Sequence, residues 1–317
     1  MNRMSTAPLG HGNLRASRIA YGGWRIAGTW DPALVTPEKE AVGRAAVLAA
    51  YEAGYTLFDL ADIYCDGECE RIFGEVLKST PGMRSHIVVA TKCGIRKKGD
   101  PSPDSPYRYD FTAEHIQRSC EASLQRMGLD TIDLYLLHRP DFLCDPAEVA
   151  GAFSKLKQAG KAREFGVSNF RPTQVRALQK ACPMPIVVNQ VEISLARLDC
   201  FEDGTLDQCL AERITPQAWS PLGGGRLVEE GPVDLRTPDH AERLRVREVL
   251  TLLARERGVS RQVMALAWLL KHPSGIAPIV GSTQPERIRD AATAAQLDLM
   301  RDEWYRLFEA ALGERLP

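Results

Sequence analysis

The sequence contains no long hydrophobic run. No stretch of its 317 residues approaches the roughly 18 consecutive apolar residues that mark a membrane-spanning helix. The first residues, MNRMSTAPLGHGNLRAS, lack the apolar core of a secretory signal peptide. Both absences argue against a membrane protein or a secreted protein, and we expect the chain to be cytoplasmic.

The sequence also lacks an excess of charge of either sign. It has 40 Lys and Arg residues against 41 Asp and Glu residues, and its formal net charge is -1. Binding to nucleic acid or to an anionic membrane surface requires a concentrated basic patch. We therefore expect a small-molecule partner, no nucleic acid and no membrane, and no pattern points to a particular oligomeric state.

Patterns typical of disulfide frameworks, metal sites and Rossmann folds are missing as well. The eight cysteines form no C-x-x-C pair, so they are most simply reduced thiols. His-x-His and clustered carboxylate patterns are absent, and we predict no metal site. The first glycine-rich segment, AYGGWRIAG, does not match the G-x-G-x-x-G turn that binds dinucleotides in doubly wound sheets.

What the sequence does contain is a series of eight apolar runs that alternate with segments of helical period. This alternation predicts an α/β protein of the (β/α)8 TIM barrel type, in a single domain over residues 1–317. We also predict a short N-terminal β-hairpin around LGHGNLRASRIAYGG and an extra C-terminal helix, RDEWYRLFEAAL. A doubly wound open sheet is the alternative fold. The predicted strands are 17–23, 55–61, 86–92, 131–138, 162–168, 185–193, 214–219 and 276–282.

Two long segments between these units have a Pro and Gly content that opposes regular structure. They are residues 93–111 and 222–240. Long loops in compact domains are frequently lids or walls of binding sites. The charged and aromatic side chains of the first segment either contact an acidic or aromatic substrate or are simply solvated. They are Arg96, Lys97, Lys98, Tyr107, Arg108 and Tyr109.

Four titratable side chains follow three neighbouring predicted strands. Asp59 ends the second strand, and Tyr64 follows five residues later. Lys92 ends the third strand and His138 ends the fourth. In a parallel barrel the C-terminal ends of the strands share one rim, where functional residues collect. Because these residue types can donate a proton to a carbonyl oxygen while another group delivers hydride, we predict that Tyr64 is an acid.

The neighbours of Tyr64 suggest how its acidity is set. A free tyrosine has a pKa of about 10, and a nearby ammonium group lowers it. We therefore expect Lys92 to lower the pKa of Tyr64 and Asp59 to keep Lys92 charged. His138 is expected to orient the carbonyl through a ring N–H, as an oxyanion donor does.

The sequence resembles the aldo-keto reductase superfamily in motifs that occur in the order typical of that family. They are FDLADIY, VATKCG, LLHRPD, GVSNF, NQVEIS, AWSPL and IVGSTQPERI. Within the superfamily the chain is most similar to the bacterial branch of general oxidoreductases whose seventh strand reads QAWSPLGGG. The resemblance implies a barrel that binds NADPH without a Rossmann motif and reduces an aldehyde or a ketone to the alcohol. It assigns catalysis to Asp59, Tyr64, Lys92 and His138, and the substrate pocket to Trp24, Tyr64 and His138.

The same resemblance implies a set of cofactor-binding residues. Ser168, Asn169 and Gln190 would hold the nicotinamide carboxamide, and the nicotinamide ring would stack on Trp219. The glycine-rich segment after Trp219 would line the pyrophosphate, because absent side chains let backbone N–H groups approach phosphate oxygens. The complete set is Gly23, Trp24, Asp59, Ser168, Asn169, Gln190, Trp219, Ser220, Pro221, Leu222, Gly223, Gly224, Gly225, Arg226, Gly281, Ser282, Thr283 and Arg287.

The residues implied for the adenosine 2′-phosphate are Gly281, Ser282 and Arg287. Many eukaryotic members of the family have Lys at the position of Gly281, so this chain lacks one favourable contact. Arg287 is then the main charge for the phosphate. NADPH is the expected cofactor, with NADH use also possible.

Two other functions fit parts of this pattern. An NADPH-binding sensor or auxiliary subunit with negligible turnover would use the same barrel, although the complete set of four residues argues against it. A metal-dependent hydrolase would use Asp59 and His138 at the same rim, but the ligand patterns that it needs are missing. The sequence therefore favours an enzyme, an NAD(P)H-dependent aldo-keto reductase.

Overall fold

The strands of this protein form a closed parallel barrel with a small hairpin at each end of the barrel axis. The fold is described over residues 4–316 in a computed structural model. The strands are β1 (Thr6–Pro8), β2 (Arg15–Ser17), β3 (Ala20–Gly22), β4 (Leu57–Asp59), β5 (Val88–Cys93), β6 (Ile95–Arg96), β7 (Arg108–Tyr109), β8 (Ile132–Leu137), β9 (Ala162–Ser168), β10 (Ile186–Glu192), β11 (Thr215–Trp219) and β12 (Ala277–Val280).

The barrel is built from the eight apolar runs that the sequence predicts as strands. Its order is β3, β4, β5, β8, β9, β10, β11 and β12, and β12 pairs with β3 to close it. All of these pairs are parallel. The (β/α)8 prediction is confirmed and the open doubly wound sheet is wrong. The first predicted strand is shorter than its apolar run, because Ser17 belongs to the N-terminal hairpin.

Helices cover the outside of the barrel. Every residue of β5 and of β8 is buried, as expected for parallel strands that are covered on both faces. None of the helices within residues 4–316 has the length and apolar composition needed to cross a membrane. The helices are α1 (Pro37–Glu52), α2 (Glu68–Ser79), α3 (Ala113–Met127), α4 (Pro146–Gln158), α5 (Pro172–Ala181), α6 (Thr205–Glu212), α7 (His240–Arg257), α8 (Arg261–Leu270), α9 (Pro285–Thr293) and α10 (Arg301–Leu312).

The limits of α1 show how the sequence sets a helix in place. The Thr36 hydroxyl accepts a hydrogen bond from the backbone N–H of Lys39 at 3.4 Å, and Pro37 occupies the first turn. These are the preferred residue types at a helix start. Gly54, just beyond the helix, has a φ of 93°, a conformation in which glycine avoids the steric cost of a Cβ.

The predicted N-terminal hairpin is confirmed, and it closes one end of the barrel. β1 and β2 pair antiparallel. Leu9 and Ala16 of the hairpin join the cluster of buried side chains that fills the barrel interior. The backbone N–H of Gly10 donates to the Thr215 hydroxyl at 2.8 Å, at the first residue of β11. The N-terminal end of the barrel is therefore covered, and its C-terminal end is left for ligands.

The long segment 93–111 is more regular than its composition suggests. β6 and β7 pair antiparallel within it, with Ile95 opposite Tyr109. Arg96 is buried and bridges Asp100 and Asp110 from inside the segment. The segment is therefore not irregular throughout, because this internal ion-pair network supports a local hairpin, but residues 97–107 form a loop as expected. The segment 222–240 contains one 3-10 turn, Gly223–Gly225, and otherwise remains irregular as predicted up to His240, where α7 begins.

The extra C-terminal helix is also confirmed, and aromatic side chains dock it against α8. The Trp304 and Trp268 rings stack with centroids 5.3 Å apart. Each indole N–H donates to the backbone carbonyl of the other tryptophan, at 3.0 and 3.2 Å. Buried aromatic pairs of this kind contribute about 0.5–1.5 kcal/mol beyond the area that they bury.

We predict that Gly43→Ala strongly destabilises the fold. A Cβ at residue 43, in the interior of α1, would lie 1.9 Å from the backbone oxygen of Ile26. This close approach holds the segment after β3, which carries Trp24, against the helix. Overpacking of this kind costs about 1–3 kcal/mol or more, and denaturation in urea would measure the change in the free energy of unfolding.

Gly151→Ala is the matched control. It lies in α4, and a Cβ there meets no atom of the described residues within 4 Å. This substitution should stabilise the protein by roughly 0.5–1 kcal/mol, because glycine is a poor helix former. Equal unfolding midpoints for the two variants would contradict the close contact at Gly43.

Candidate active site

The candidate active site lies in a cavity at the C-terminal end of the barrel. The cavity has a volume of about 480 Å³, and Asp59, Tyr64 and His138 line it. Asp59 is the last residue of β4, Tyr64 lies in the turn that follows, and His138 follows β8 directly. Lys92 lies in β5 behind this wall, fully buried. The structure thus brings together the four residues that the sequence singles out.

Lys92 is the centre of this group. Its Nζ donates hydrogen bonds to Asp59 Oδ2 at 2.7 Å, to the backbone oxygen of Leu60 at 2.7 Å and to Tyr64 Oη at 3.1 Å. Burial by itself lowers the pKa of Lys92, but the nearby Asp59 carboxylate and Tyr64 more than offset it, so the pKa is raised. Lys92 therefore carries its positive charge inside the barrel.

The pKa of Tyr64 differs from the sequence-based expectation. Burial raises it, the Lys92 ammonium lowers it, and the Asp59 carboxylate raises it again, so the net direction is upward. Lys92 does act on Tyr64 as predicted, but desolvation of the tyrosinate form is the larger effect. Tyr64 therefore keeps its proton at neutral pH.

His138 faces Tyr64 across the cavity as a neutral imidazole. The two ring centroids are 5.8 Å apart, in an edge-to-face arrangement. Burial lowers the pKa of His138 well below its usual value, and the positive charges of Lys92 and Arg139 lower it further. Within residues 4–316, no hydrogen-bond partner satisfies the buried Nδ1 of His138.

The turn after Tyr64 has a strained backbone. Cys65 and Asp66 have φ values of 47° and 53°, and Gly67 has a φ of 90°. A left-handed residue other than glycine costs about 1–2 kcal/mol, so contacts must hold this turn. Asp66 pairs with Lys97 of the neighbouring hairpin. The side chain of Arg126 lies over Gly67, where a Cβ would meet its Cδ at 2.5 Å.

The residues implied for the nicotinamide form one hydrogen-bonded wall of the cavity. Asn169 Nδ2 donates to Ser168 Oγ at 2.8 Å, and Trp219 Nε1 donates to Asn169 Oδ1 at 3.0 Å. Gln190 Nε2 donates to Asp59 Oδ1 and to Gln217 Oε1, both at 3.0 Å. Both amide protons of Gln190 are thus used inside the protein, which leaves its carbonyl oxygen to meet a ligand.

A second, smaller cavity of about 130 Å³ adjoins the first. Both cavities are lined by Trp24, Ser220, Ile279 and Gly281, so they form one groove. Most of the residues implied for the phosphates line the smaller cavity. They are Ser220, Pro221, Leu222, Gly224, Gly225, Gly281, Ser282 and Arg287.

Four residues of the implied cofactor set line neither cavity: Gly23, Gly223, Arg226 and Thr283. Gly23 and Gly223 are buried. Arg226 uses its guanidinium inside the protein, where Nε donates to the Gly223 carbonyl at 3.0 Å and Nη1 pairs with Asp239 at 3.1 Å.

Trp24 explains why residue 281 is a glycine. A Cβ at Gly281 would lie 2.7 Å from Trp24 Nε1. The indole therefore occupies the space that a side chain would need. The Trp24 ring also packs against Trp30, with centroids 5.5 Å apart.

Sequence reasoning missed several residues of the groove. Trp30, Arg139 and Gln217 belong to the site, and Arg25 lines the smaller cavity. Arg25 and Arg139 each directly follow a residue that the sequence singles out, Trp24 and His138, which is a signal that could have found them. Of the charged and aromatic side chains between residues 93 and 111, Lys97 and Tyr107 line the cavity.

Within residues 4–316, no group of three His, Cys, Asp or Glu side chains is placed to hold a metal ion.

The chain is similar to known proteins over almost its whole length. Residues 18–311 match the model of a family described as the Aldo/keto reductase family. The chain is 41% identical over 315 residues to a 6-dehydroglucose reductase of Novosphingobium aromaticivorans, covering 98% of this chain and 96% of that one. It is 39% identical over 321 residues to the oxidoreductase YdhF of Escherichia coli, covering 100% of both. The structure of a glycerol dehydrogenase from Gluconobacter oxydans matches with a TM-score of 0.84 and 25% identity, covering 98% of this chain and 97% of that one.

We predict that the His138 ring does not titrate near the ordinary histidine pKa of about 6.5. Its pKa is lowered well below the usual value, so the ring stays neutral as the pH falls through about 6.5. Two-dimensional NMR of the imidazole groups, with His138→Asn to assign the signal, would measure this. A ring shift that inflects near pH 6.5 would contradict the burial of a neutral imidazole.

Proposed function

Because the chain belongs to the aldo/keto reductase family of oxidoreductases, we propose that it reduces an aldehyde or a ketone to the alcohol with NADPH. The observation that carries this proposal is the Lys92 ammonium, which joins Asp59 to the Tyr64 hydroxyl at the wall of the larger cavity. Relatives named as reductases and oxidoreductases support carbonyl reduction in general. In this proposal Asp59, Tyr64, Lys92 and His138 are the catalytic residues.

Tyr64 acts as the general acid in this proposal. When bound, NADPH supplies the hydride that adds to the carbonyl carbon. The Tyr64 hydroxyl donates its proton to the carbonyl oxygen, and the tyrosinate that remains is stabilised by the Lys92 ammonium at 3.1 Å. The raised pKa of Tyr64 suits this role, because an acid must hold its proton until the oxygen becomes basic.

His138 positions the carbonyl opposite Tyr64. A neutral imidazole N–H can donate a hydrogen bond to the carbonyl oxygen without competing to transfer a proton. The low pKa of His138 keeps the ring in this neutral form. Together with Trp24, these two side chains form the proposed substrate pocket.

The groove fits NADPH at its phosphate end. Gly224 and Gly225 have positive φ values, 71° and 100°, and a Cβ at either position would meet no atom within 4 Å in the described part of the chain. Backbone N–H groups of glycine-rich turns can bind an anion, although the Gly225 N–H already donates to the Leu222 carbonyl at 3.0 Å. Arg25 and Arg287 line the same cavity, and within residues 4–316 neither has a carboxylate partner. We propose that Arg25 replaces the cation that is missing at Gly281.

The remaining cofactor residues would hold the nicotinamide end. Ser168, Asn169 and the free carbonyl of Gln190 offer acceptor oxygens to the amide N–H groups of a carboxamide, since their own protons are used inside the protein. Trp219 offers a broad ring for stacking and has its indole N–H fixed by Asn169. The name of the Novosphingobium relative makes a sugar aldehyde a first compound to assay.

We predict that Tyr64→Phe reduces kcat by about 10²–10⁴-fold, the range of a general acid. NADPH consumption with a panel of aldehydes and ketones would be followed by absorbance. NADPH binding should be nearly retained, since the hydroxyl is not required for it. Tyr305→Phe, on α10, is the control for a lost tyrosine hydroxyl away from the groove. Full activity of Tyr64→Phe would refute the assigned acid role.

We predict that Arg287→Ala and Arg25→Ala each weaken NADPH binding more than NADH binding. Each variant removes a charge close to the proposed 2′-phosphate, and NADH lacks that phosphate. Titration with either nucleotide, followed by quenching of tryptophan fluorescence, would measure both affinities. Arg289→Ala, an exposed neighbour on α9, is the matched control. Equal losses for both nucleotides would overturn the proposed phosphate site.

The NADPH consumption assay with the carbonyl panel separates the enzyme from a cofactor sensor. A sensor binds NADPH and consumes almost none of it with any carbonyl compound. A protein that binds neither nucleotide would refute both functions.

A further inference from the structure

Arg139 lies in the wall of the larger cavity, next to the proposed reaction centre. It directly follows His138 and is partly buried. Its guanidinium carbon is 5.4 Å from the centroid of the Trp219 ring. Tyr107 and Trp30 line the same cavity. The guanidinium is therefore within reach of a ligand that occupies the space between His138 and these aromatic side chains.

Arg139 differs from the other buried or partly buried arginines in its polar contacts. Within residues 4–316 it donates no hydrogen bond and lies within 4.0 Å of no carboxylate oxygen. Every other arginine of that range that is buried or partly buried does one or the other. These are Arg18, Arg44, Arg71, Arg84, Arg96, Arg108, Arg126, Arg243, Arg247 and Arg261.

An unpaired guanidinium at the wall of a cavity is unusual for energetic reasons. A desolvated charge costs free energy unless hydrogen bonds or an opposite charge compensate it. A cation–π contact with the Trp219 ring compensates part of the charge of Arg139. The N–H groups of the guanidinium remain unused, in a planar fork that matches a carboxylate.

The other charges of the cavity are already neutralised. Asp59 pairs with Lys92 at 2.7 Å, and Lys97 pairs with Asp66. His138 is neutral. Arg139 is thus the uncompensated charge among the cavity-lining residues, and no acidic residue besides Asp59 lines the cavity in the described range.

We propose that Arg139 binds a carboxylate group of the substrate, so that the preferred substrates are aldehydes or ketones that also carry a carboxylate. This inference rests on the proposed reductase function. A phosphate of the cofactor is a poor candidate for the ligand of Arg139. Arg139 does not line the smaller cavity, where Arg25, Arg287 and the glycine turn offer a separate anion site.

The test compares 4-carboxybenzaldehyde with 4-nitrobenzaldehyde, which has nearly the same shape and no net charge. The ratio of their kcat/KM values is measured in the wild type and in Arg139→Gln. The two aldehydes differ in electrophilicity, but this difference is the same for both proteins and cancels when the two ratios are compared. We expect Arg139→Gln to lower the ratio about tenfold or more, the effect of losing a charge-assisted hydrogen bond. Arg139→Lys keeps the charge without the fork and should give an intermediate ratio.

Lys98→Gln is the matched control. Lys98 is exposed on the same rim, does not line the cavity and forms no ion pair within residues 4–316. It removes one positive charge nearby, so its ratio should stay at the wild-type value. An equal fall of the kcat/KM ratio in Arg139→Gln and Lys98→Gln would mean that the ratio depends only on the overall positive potential at the rim. That result would overturn the assignment to Arg139. A proportional loss for both aldehydes in Arg139→Gln would show that Arg139 merely supports Trp219.

A binding measurement keeps the inference testable without turnover. Benzoate and its neutral analogue benzamide are titrated against protein saturated with NADP⁺, again by tryptophan fluorescence. Preferential binding of benzoate that is lost in Arg139→Gln supports the carboxylate site. If neither aldehyde is reduced but benzoate binds in this way, the reductase function fails and the site stands. Equal affinity for benzoate and benzamide overturns the site, whatever the outcome of the activity assays.

Discussion

Lys92 carries a positive charge in the barrel wall with none of its surface exposed to solvent. Burial of an ammonium group costs several kcal/mol unless an opposite charge and hydrogen bonds compensate it. Asp59, the Leu60 carbonyl and the Tyr64 hydroxyl provide that compensation at 2.7, 2.7 and 3.1 Å. Because all three lie on β4 and the turn after it, the charge of Lys92 determines how this turn approaches β5.

Several other features follow from this constraint. Tyr64 must reach Lys92, and the chain beyond it must then turn back into α2, which it does through consecutive left-handed residues. The Asp66–Lys97 pair ties that turn to the β6–β7 hairpin, and so to the Tyr107 side of the cavity. On the other side, Asp59 accepts from Gln190, which extends the network to β10. One buried charge thus connects both walls of the groove.

The shape of the groove depends on two glycines whose missing side chains let other parts of the protein pack closely. Gly281 leaves room for the Trp24 indole, and Gly43 lets the segment after β3 pack onto α1. Trp24 then separates the region of Tyr64 and His138 from the region of Arg25 and Arg287 while bordering both. An extended dinucleotide would pass this point. The two ends of the groove differ in chemistry, with aromatic walls at one end and arginines and a glycine turn at the other.

The sequence by itself determined the barrel, the hairpin, the C-terminal helix and the presence of Asp59, Tyr64, Lys92 and His138 at one rim. These follow from local periodicity and from the rule that parallel strands share one C-terminal edge, both of which are readable along the chain. Only the tertiary structure decided that burial outweighs Lys92 in raising the pKa of Tyr64, and that residues 93–111 contain paired strands. It alone showed that Arg25 lines the groove and that Arg139 has no hydrogen-bond or ion-pair partner among the described residues. Desolvation and pairing depend on every element packed around a side chain, and these neighbours lie far apart in the sequence.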